Sequence, residues 1–220
     1  MAKGKTDQEI EKIINDKTDQ LQKYILKNCI SKDLFTGPAK YFPEEALKSC
    51  KEDFLGDRHL EMIYATLTAW GMHRLGEKGA EMPDYKCFKC SILRCKNDIE
   101  ELKSKKIDKL SEIESTIKDL QDLAFNKIRA SETNSRLVSS TKVLAHILPD
   151  LVPPMDWNYT GNFFGFNYTD SYDKQSQIFR GVMYTLWQVY QNKEVCEKAS
   201  KYSGISLPKL FDNAIIQIRR

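Results

Sequence analysis

Apolar side chains recur at three- and four-residue intervals along much of the chain, and this spacing constrains the fold more than any other feature. It places the apolar side chains on one face of an α-helix, whereas no alternating pattern indicates a β-strand. The segments with this spacing are residues 6–30, 43–55, 57–75, 97–128, 143–148, 175–190 and 208–218. The sequence therefore predicts an all-α protein. We expect a single mainly helical domain over residues 1–220, with an N-terminal helical part (1–130) and a C-terminal part (131–220).

Residues 57–75, DRHLEMIYATLTAWGMHRL, are apolar nearly all round, which is typical of a helix that is buried on most sides. Trp70, His73 and Arg74 fall on neighbouring faces near the C-terminal end of this segment. The histidine can be a core residue bonded to the backbone or part of a pocket lining, and both interpretations stay open. A buried arginine beside it requires an anion, which favours a pocket.

Residues 97–128 place Lys and Glu between apolar positions at mixed steps. This pattern predicts one long amphipathic helix with a solvated face. A coiled-coil seam is the alternative, although few clean heptads are present. We therefore expect a long helix inserted before the C-terminal part.

Residues 136–160, RLVSSTKVLAHILPDLVPPMDWNYT, carry the pattern that bears most on function. Ser139, Ser140 and Thr141 have side-chain oxygens that can cap a helix N-terminus. The apolar residues that follow have helical spacing, and Pro149 ends the helix because proline cannot occupy a helix interior without cost. The stretch therefore predicts a polar turn followed by a short helix.

A connector stiffened by Pro153 and Pro154 follows this helix and leads directly to Asp156. This layout resembles the core of the helix-hairpin-helix DNA glycosylase superfamily, in which a phosphate-binding turn, a short helix and a connector precede a catalytic aspartate. Residues 140–143 resemble the end of the turn and the start of the helix, and residues 151–156 resemble the connector and the acid. In the lyase branch a nucleophilic lysine starts this helix, and Lys142 matches it in position.

The resemblance implies that Asp156 and Lys142 are catalytic and that the partner is double-stranded DNA. It implies a DNA glycosylase that flips a damaged or modified base into a pocket and cleaves its N-glycosidic bond, in repair or in defence against modified phage DNA. The implied site comprises phosphate contacts from Ser139, Ser140, Thr141 and Arg136, and a base pocket formed by Trp157, Tyr159, Trp70, His73 and Arg74. Rings from the aromatic segment 157–172 can stack on an extruded base.

Other interpretations of the same residues remain open. A non-catalytic helical nucleic-acid-binding or interaction protein would keep the fold and use Asp156 as a helix N-cap. A helical nuclease with Arg and His a few residues apart ranks last, because Arg136 and His146 are too far apart in sequence. Asp212, in LPKLFDNAII, repeats the connector-to-aspartate pattern weakly and lies near the C-terminus.

The charge distribution agrees with a polyanionic partner. Residues 127–220 contain 12 Lys and Arg against 8 Asp and Glu, a net charge of +4, whereas residues 1–126 contain 22 against 23, a net charge of −1. The basic excess therefore accompanies the part of the chain that carries the glycosylase-like stretch.

The composition also limits cofactors and location. Six cysteines without a secretion signal indicate reduced thiols. Cys87, Cys90 and Cys95 lack a fourth ligand at the spacing of a zinc site, and only Cys196 follows Asp156, so we expect neither a metal nor another cofactor. No apolar run approaches the ~20 residues that span a bilayer. We therefore expect a cytoplasmic monomer without a membrane partner.

Overall fold

A computed structural model describes residues 7–32, 34–72 and 81–220, and these residues contain eleven α-helices and no strand, which confirms the all-α prediction. The helices are α1 (Asp7–Lys27), α2 (Pro38–Glu52), α3 (Asp57–Ala69), α4 (Tyr85–Arg94), α5 (Lys96–Lys103), α6 (Glu114–Gln121), α7 (Arg136–Ile147), α8 (Asn162–Phe164), α9 (Tyr172–Gln191), α10 (Lys193–Ala199) and α11 (Leu207–Arg219). A 3-10 turn (Ile107–Lys109) and two π-helical segments (Asp122–Lys127 and Trp157–Gly161) complete the helical structure. None of these described helices combines the length and apolar character needed to cross a membrane.

One hydrophobic core joins the two parts that the sequence distinguishes. α2 and α3 pack against each other and both contact α7, while α1 contacts α9, α10 and α11. The buried apolar residues form a single cluster that runs from Leu21 in α1 to Ile215 in α11. The helices near the N-terminus therefore help to enclose α7, which carries the central part of the glycosylase-like stretch.

Helix α7 lies at the centre of this core. Every residue from Leu137 to Leu148 is buried except Lys142. Two of its hydroxyl groups are satisfied within the helix, since Thr141 donates from Oγ1 to the Leu137 carbonyl at 2.7 Å and Ser139 donates from Oγ to the Ser135 carbonyl at 3.2 Å. The buried Ser140 hydroxyl has no hydrogen-bond partner among the described residues. A helix buried on all sides requires partners for its polar ends as well.

The N-terminus of α7 obtains these partners from α9. The Gln175 side-chain oxygen accepts hydrogen bonds from the backbone N–H of Arg136 at 3.0 Å and of Leu137 at 2.8 Å. Its amide nitrogen donates to the Asn134 carbonyl at 2.7 Å. The helix therefore begins at Arg136, and the prediction that Ser139 and its two neighbours cap it is wrong. A buried glutamine from a distant segment performs that role.

The prediction of one long helix over residues 97–128 is also wrong. α5 ends at Lys103, and the chain passes through the 3-10 turn before α6 begins at Glu114. The apolar positions explain the break, because the step from Leu102 to Ile107 would rotate Ile107 away from the face that a continuous helix buries. In the folded chain both residues reach the core. The break also leaves the Leu110 carbonyl free to accept a hydrogen bond from Trp187 Nε1 at 3.0 Å.

α2 begins at Pro38, earlier than the predicted start at Pro43, which now lies inside the helix. Proline has no N–H, so Pro43 cannot bond the carbonyl of Ala39 one turn before it. That carbonyl instead accepts a hydrogen bond from Trp70 Nε1 at 3.1 Å. The interior proline thereby creates the acceptor that ties the C-terminal end of α3 to α2.

The tertiary cap on α7 can be tested by replacing Gln175 with alanine. Two buried N–H groups would lose their acceptor, so we expect the free energy of unfolding to fall by about 2 kcal/mol in urea denaturation. Gln177→Ala is the matched control, because Gln177 is exposed on the same helix, and it should change stability little. Equal losses in the two variants would show that the cap contributes nothing.

Candidate functional site

Four charged side chains converge beside α7. Lys142 lies on α7, Asp156 begins the π-helical segment Trp157–Gly161, and Lys209 and Asp212 lie on α11, which packs against that segment. Asp156, Asp212 and Lys209 all act electrostatically on the Lys142 amine. We call these four residues the charged cluster. It brings together the two residues that the sequence predicts to be catalytic and a second lysine–aspartate pair.

Lys142 is half-buried, whereas its neighbours on α7 from Leu137 to Ile147 are buried. It lies in the middle of α7, and the prediction that it starts this helix is wrong. Burial lowers the pKa of its amine, because the neutral form costs less to remove from water. Asp156 and Asp212 partly oppose this effect, and Lys209 adds to it. Among the described residues no carboxylate forms an ion pair with Lys142. The structure therefore holds an amine, on a half-buried side chain, that loses its proton more readily than a surface lysine.

Trp70 forms one wall beside this amine. Lys142 Nζ lies 5.1 Å from the centroid of the Trp70 ring, a distance at which a cation interacts with an aromatic face. The indole cannot turn freely, because its Nε1 donates to the Ala39 carbonyl that Pro43 leaves unpaired. The sequence placed Trp70 in the base pocket, and the structure puts it next to the predicted nucleophile.

Asp156 is fixed by its own helical segment. Its Oδ1 accepts a hydrogen bond from the Tyr159 backbone N–H at 2.6 Å, and its backbone N–H donates to Thr160 Oγ1 at 3.3 Å. The preceding residue is docked on α7, since Met155 N–H donates to Thr141 Oγ1 at 3.2 Å. The interpretation of Asp156 as an N-cap is thus confirmed. No described residue bonds the other carboxylate oxygen, Oδ2, so the cap leaves half of the group available.

Lys209 and Asp212 are the members of the cluster that sequence reasoning missed or ranked low. Lys209 Nζ lies 2.6 Å from Asp212 Oδ2, and Asp212 is 5% exposed. Burial raises the pKa of the Asp212 carboxyl, while the charge and hydrogen bond of Lys209 oppose that increase. One signal was available in the sequence, because these two charges interrupt a helix whose other residues are mostly apolar.

Two buried histidines, His59 and His146, form a chain of hydrogen bonds that ends at the Lys142 carbonyl. His59 Nδ1 accepts the Leu55 N–H at 3.1 Å, so its proton is on Nε2, which donates to the His146 carbonyl at 3.3 Å. His146 Nδ1 in turn donates to the Lys142 carbonyl at 2.7 Å. Burial lowers the pKa of His146 to about 4. The His146 ring also packs 5.5 Å from Trp70, which helps to position that indole.

The predicted phosphate contacts occupy a different environment. Ser139, Ser140 and Thr141 are buried inside α7, so their side chains do not reach the surface. The Ser139 and Thr141 hydroxyls donate to carbonyls of their own helix, and the Ser140 hydroxyl has no partner among the described residues. Arg136 donates to the Phe125 carbonyl and lines a cavity of about 390 Å³. Phosphate binding by these four residues stays a prediction, and their geometry does not favour it.

The aromatic residues after Asp156 lie on the π-helical segment Trp157–Gly161, on α8 and in the stretch that follows α8. Trp157 packs edge-on against Tyr168 with ring centroids 5.5 Å apart, and Tyr159 is half-buried. Gly165 ends α8 with a φ of +67°, in the left-handed region that favours glycine. The indole nitrogen of Trp157 is buried, and no described residue accepts a hydrogen bond from it. His73 and Arg74 lie outside the described residues.

No protein-family model matches the sequence, and neither a curated protein nor a solved structure matches it. The function must therefore be inferred from the residues of the charged cluster and from the surfaces around it.

The neutral state of His146 predicts a pH dependence of stability. The unfolded chain binds a proton on this ring below about pH 6.5, whereas the folded chain does so only near pH 4. The stability that the neutral His146 ring contributes is therefore fully present above about pH 6.5. As the pH falls towards 4, the free energy of unfolding decreases by up to about 3 kcal/mol. Urea unfolding across this range should show the loss. His146→Asn keeps a donor for the Lys142 carbonyl without titrating, so it should flatten the dependence, and an unchanged slope would contradict this assignment.

Proposed function

We propose that this chain is a DNA glycosylase that cleaves the N-glycosidic bond of a base extruded from a duplex. Its nucleophile is the Lys142 amine, and Asp156 stabilises the charge that develops on the sugar. The observation that carries this proposal is the placement of the Lys142 amine 5.1 Å from the centroid of the Trp70 ring, with its pKa lowered by burial and with the charge of Asp156 acting on it. The substrate class is a damaged or modified base in double-stranded DNA.

The amine suits covalent chemistry because only a neutral lysine is a nucleophile. Burial lowers the pKa of the Lys142 amine and so favours that form, which is one of the established ways of activating a lysine. Attack of Lys142 Nζ on C1′ forms the N–C1′ bond as the bond to the base breaks, and the bonding electron pair leaves with the base. A Schiff base at C1′ follows when the sugar ring opens. This sequence of steps is that of a glycosylase with lyase activity.

The carboxylate suits the transition state for a different reason. Positive charge grows on the sugar as the base departs, and an oriented carboxylate stabilises such a charge without having to reorganise. The hydrogen bond from Tyr159 N–H fixes the orientation of Asp156, and Oδ2 has no partner among the described residues. Capping and catalysis are therefore compatible uses of one aspartate.

The surroundings suit an extruded base. Trp70 offers an aromatic face beside the amine, and base–aromatic stacking contributes about 1–3 kcal/mol per base. That contribution offsets part of the few kcal/mol that unpairing and unstacking require. The basic excess of residues 127–220 attracts the duplex to this half of the chain.

A second candidate function is a helical nucleic-acid-binding protein without catalysis. The observation that favours it is the N-cap made by Asp156, which accounts for this residue structurally. In that case Lys142 would act only as a buried charge or a phosphate contact. The direct discrimination is incubation with duplexes that carry a panel of damaged or modified bases, followed by alkali to reveal abasic sites. Cleavage supports the glycosylase, whereas binding without cleavage supports the second candidate.

The role of Lys142 predicts a covalent adduct. Borohydride added during the reaction should reduce the Schiff base and leave the protein attached to DNA, as a shifted band on a denaturing gel. Lys142→Gln should abolish the adduct. Lys193→Gln is the matched control, since the Lys193 side chain is 90% exposed, and it should trap normally. If Lys142 only contacts a phosphate, no adduct forms and Lys142→Gln instead weakens binding in a salt-dependent manner.

The role of Asp156 predicts a separation of activity from stability. Asparagine caps a helix about as well as aspartate, so Asp156→Asn should keep the hydrogen bond from Tyr159 N–H and the free energy of unfolding. It should remove base release, because the transition state loses its negative charge, and it should spare DNA binding. Base release at the wild-type rate together with a stability loss of about 1 kcal/mol or more would instead assign Asp156 to capping alone.

A further inference from the structure

A cavity of about 390 Å³ lies at the N-terminal end of α7, and the proposed function gives it no task. Its volume falls within the range of roughly 300–1,000 Å³ that is usual for small-molecule sites. None of the four residues of the charged cluster is part of its described lining, which includes Phe125, Asn126, Asn134, Arg136, Asp170 and Tyr172. Lys142 lies about 9 Å further along the axis of α7 than Arg136, at ~1.5 Å per residue. The cavity is therefore separate from the charged cluster.

Two opposite charges line this cavity without pairing with each other. Arg136 donates one hydrogen bond from Nη1 to the Phe125 carbonyl, and it forms no ion pair with a described carboxylate. Most of the five N–H donors of the guanidinium group therefore remain available. Asp170 Oδ1 accepts a hydrogen bond from the Tyr168 hydroxyl, and no described residue bonds its Oδ2. The cavity thus offers donors at one residue and acceptors at another.

Tyr172 gives the cavity a fixed aromatic wall, although its side chain is 45% exposed. Its ring packs edge-on against Phe125 with centroids 5.5 Å apart. Its hydroxyl donates to Asn126 Oδ1 at 2.9 Å, and Asn126 Nδ2 donates in turn to Asp122 Oδ1 at 2.9 Å. A ring held at both its edge and its hydroxyl loses little freedom when a flat ligand stacks on it. Tyr172 therefore suits a planar aromatic ligand.

Guanine is the planar group that satisfies all three features at once. Its O6 and N7 accept the fork of hydrogen bonds that an arginine donates. Its N1–H and its 2-amino group are donors, which a carboxylate accepts. Adenine places an amino donor where the guanidinium requires an acceptor. Cytosine offers a single amino donor and one ring for stacking, whereas guanine offers two donor groups and two fused rings.

We propose that this cavity binds the guanine base of a nucleotide. Arg136 donates to O6 and N7, Asp170 accepts from N1–H and the 2-amino group through its remaining lone pairs, and the base stacks on Tyr172. Arg136 thereby contacts a base edge in place of the phosphate predicted from the sequence. The proposal goes beyond the glycosylase function and requires no reaction at Lys142. A free guanine nucleotide and a guanine in a nucleic-acid strand offer the same chemistry, and the titrations below separate them.

Isothermal titration calorimetry of the whole chain tests the preference for guanine. The ligands are the monophosphates of guanosine, adenosine, cytidine and uridine, which share the phosphate and differ in the base. We expect guanosine monophosphate to bind about tenfold more tightly than the other three, since a bidentate contact discriminates between bases by roughly that factor or more. Equal affinities for the four nucleotides would overturn the proposal.

A second titration identifies the source of the base. A single-stranded thymidine oligomer with one central guanosine is compared with the same oligomer without it. Binding of free guanosine monophosphate indicates a nucleotide site. Guanine-dependent binding of the oligomer alone indicates a base that is read from a strand, and the proposal holds in both cases. The absence of guanine-dependent binding from both titrations would refute it.

Asp170→Asn tests the acceptor by a change of specificity. An asparagine amide donates a hydrogen bond, and xanthine carries an oxygen acceptor where guanine carries its 2-amino group. The variant should bind guanosine monophosphate about tenfold more weakly and xanthosine monophosphate more tightly than the wild type does. Because misfolding cannot produce a gain of binding, the second change isolates recognition from stability. Asp173→Asn is the matched control, since Asp173 is exposed nearby on α9 and should leave both affinities unchanged. A loss for both nucleotides in Asp170→Asn would contradict the assigned contact.

Tyr172 provides an independent test of stacking. Tyr172→Phe keeps the ring and should retain most of the affinity for guanosine monophosphate. Tyr172→Leu removes the ring and should weaken binding about tenfold, which is the usual scale of base–aromatic stacking. Tyr41→Leu is the control, because Tyr41 is 53% exposed and lies outside the described lining of the cavity. Equal affinities in Tyr172→Leu and Tyr41→Leu would show that the base does not stack on Tyr172 and would overturn the proposed binding mode.

Discussion

The rest of the structure depends on the burial of α7, in which every residue from Leu137 to Ile147 except Lys142 is buried. A helix surrounded by protein loses water as a partner for its polar groups, so each of them must be satisfied by a neighbour or by the helix itself. The Gln175 side chain from α9 accepts hydrogen bonds from the first two N–H groups of α7. Thr141 Oγ1 accepts a hydrogen bond from Met155 N–H in the connector, and His146 Nδ1 donates to the Lys142 carbonyl. These bonds fix the rotation of α7 and therefore the direction in which Lys142 leaves it.

The same burial gives the charged cluster its chemical character. Two lysines and two aspartates balance one another, yet only Lys209 and Asp212 are in direct contact. Lys142 has no ion pair among the described residues, and its surroundings lower its pKa. Buried charges that are paired loosely contribute little to stability, so the apolar core around the cluster supplies it.

Local irregularities in the helices determine the positions of Trp70 and Asp156. Pro43 removes one hydrogen bond from α2, and the Ala39 carbonyl that it frees holds Trp70 beside Lys142. Asp156 starts a π-helical segment, and its cap bond to Tyr159 orients the carboxylate. Each irregularity costs some helix stability and gains a defined side-chain position, which the proposed action on an extruded base would require.

The sequence alone determined the all-α class, because helical periodicity is a local property that a linear pattern records. It also indicated Trp70, the residue that directly follows α3. Only the tertiary structure decided where α7 begins and why residues 97–128 do not form one helix, since both depend on which neighbours satisfy or displace a local preference. It also decided that Lys209 and Asp212 join the site. They lie far from Lys142 along the chain, and their convergence follows from how α11 packs, which no local pattern contains.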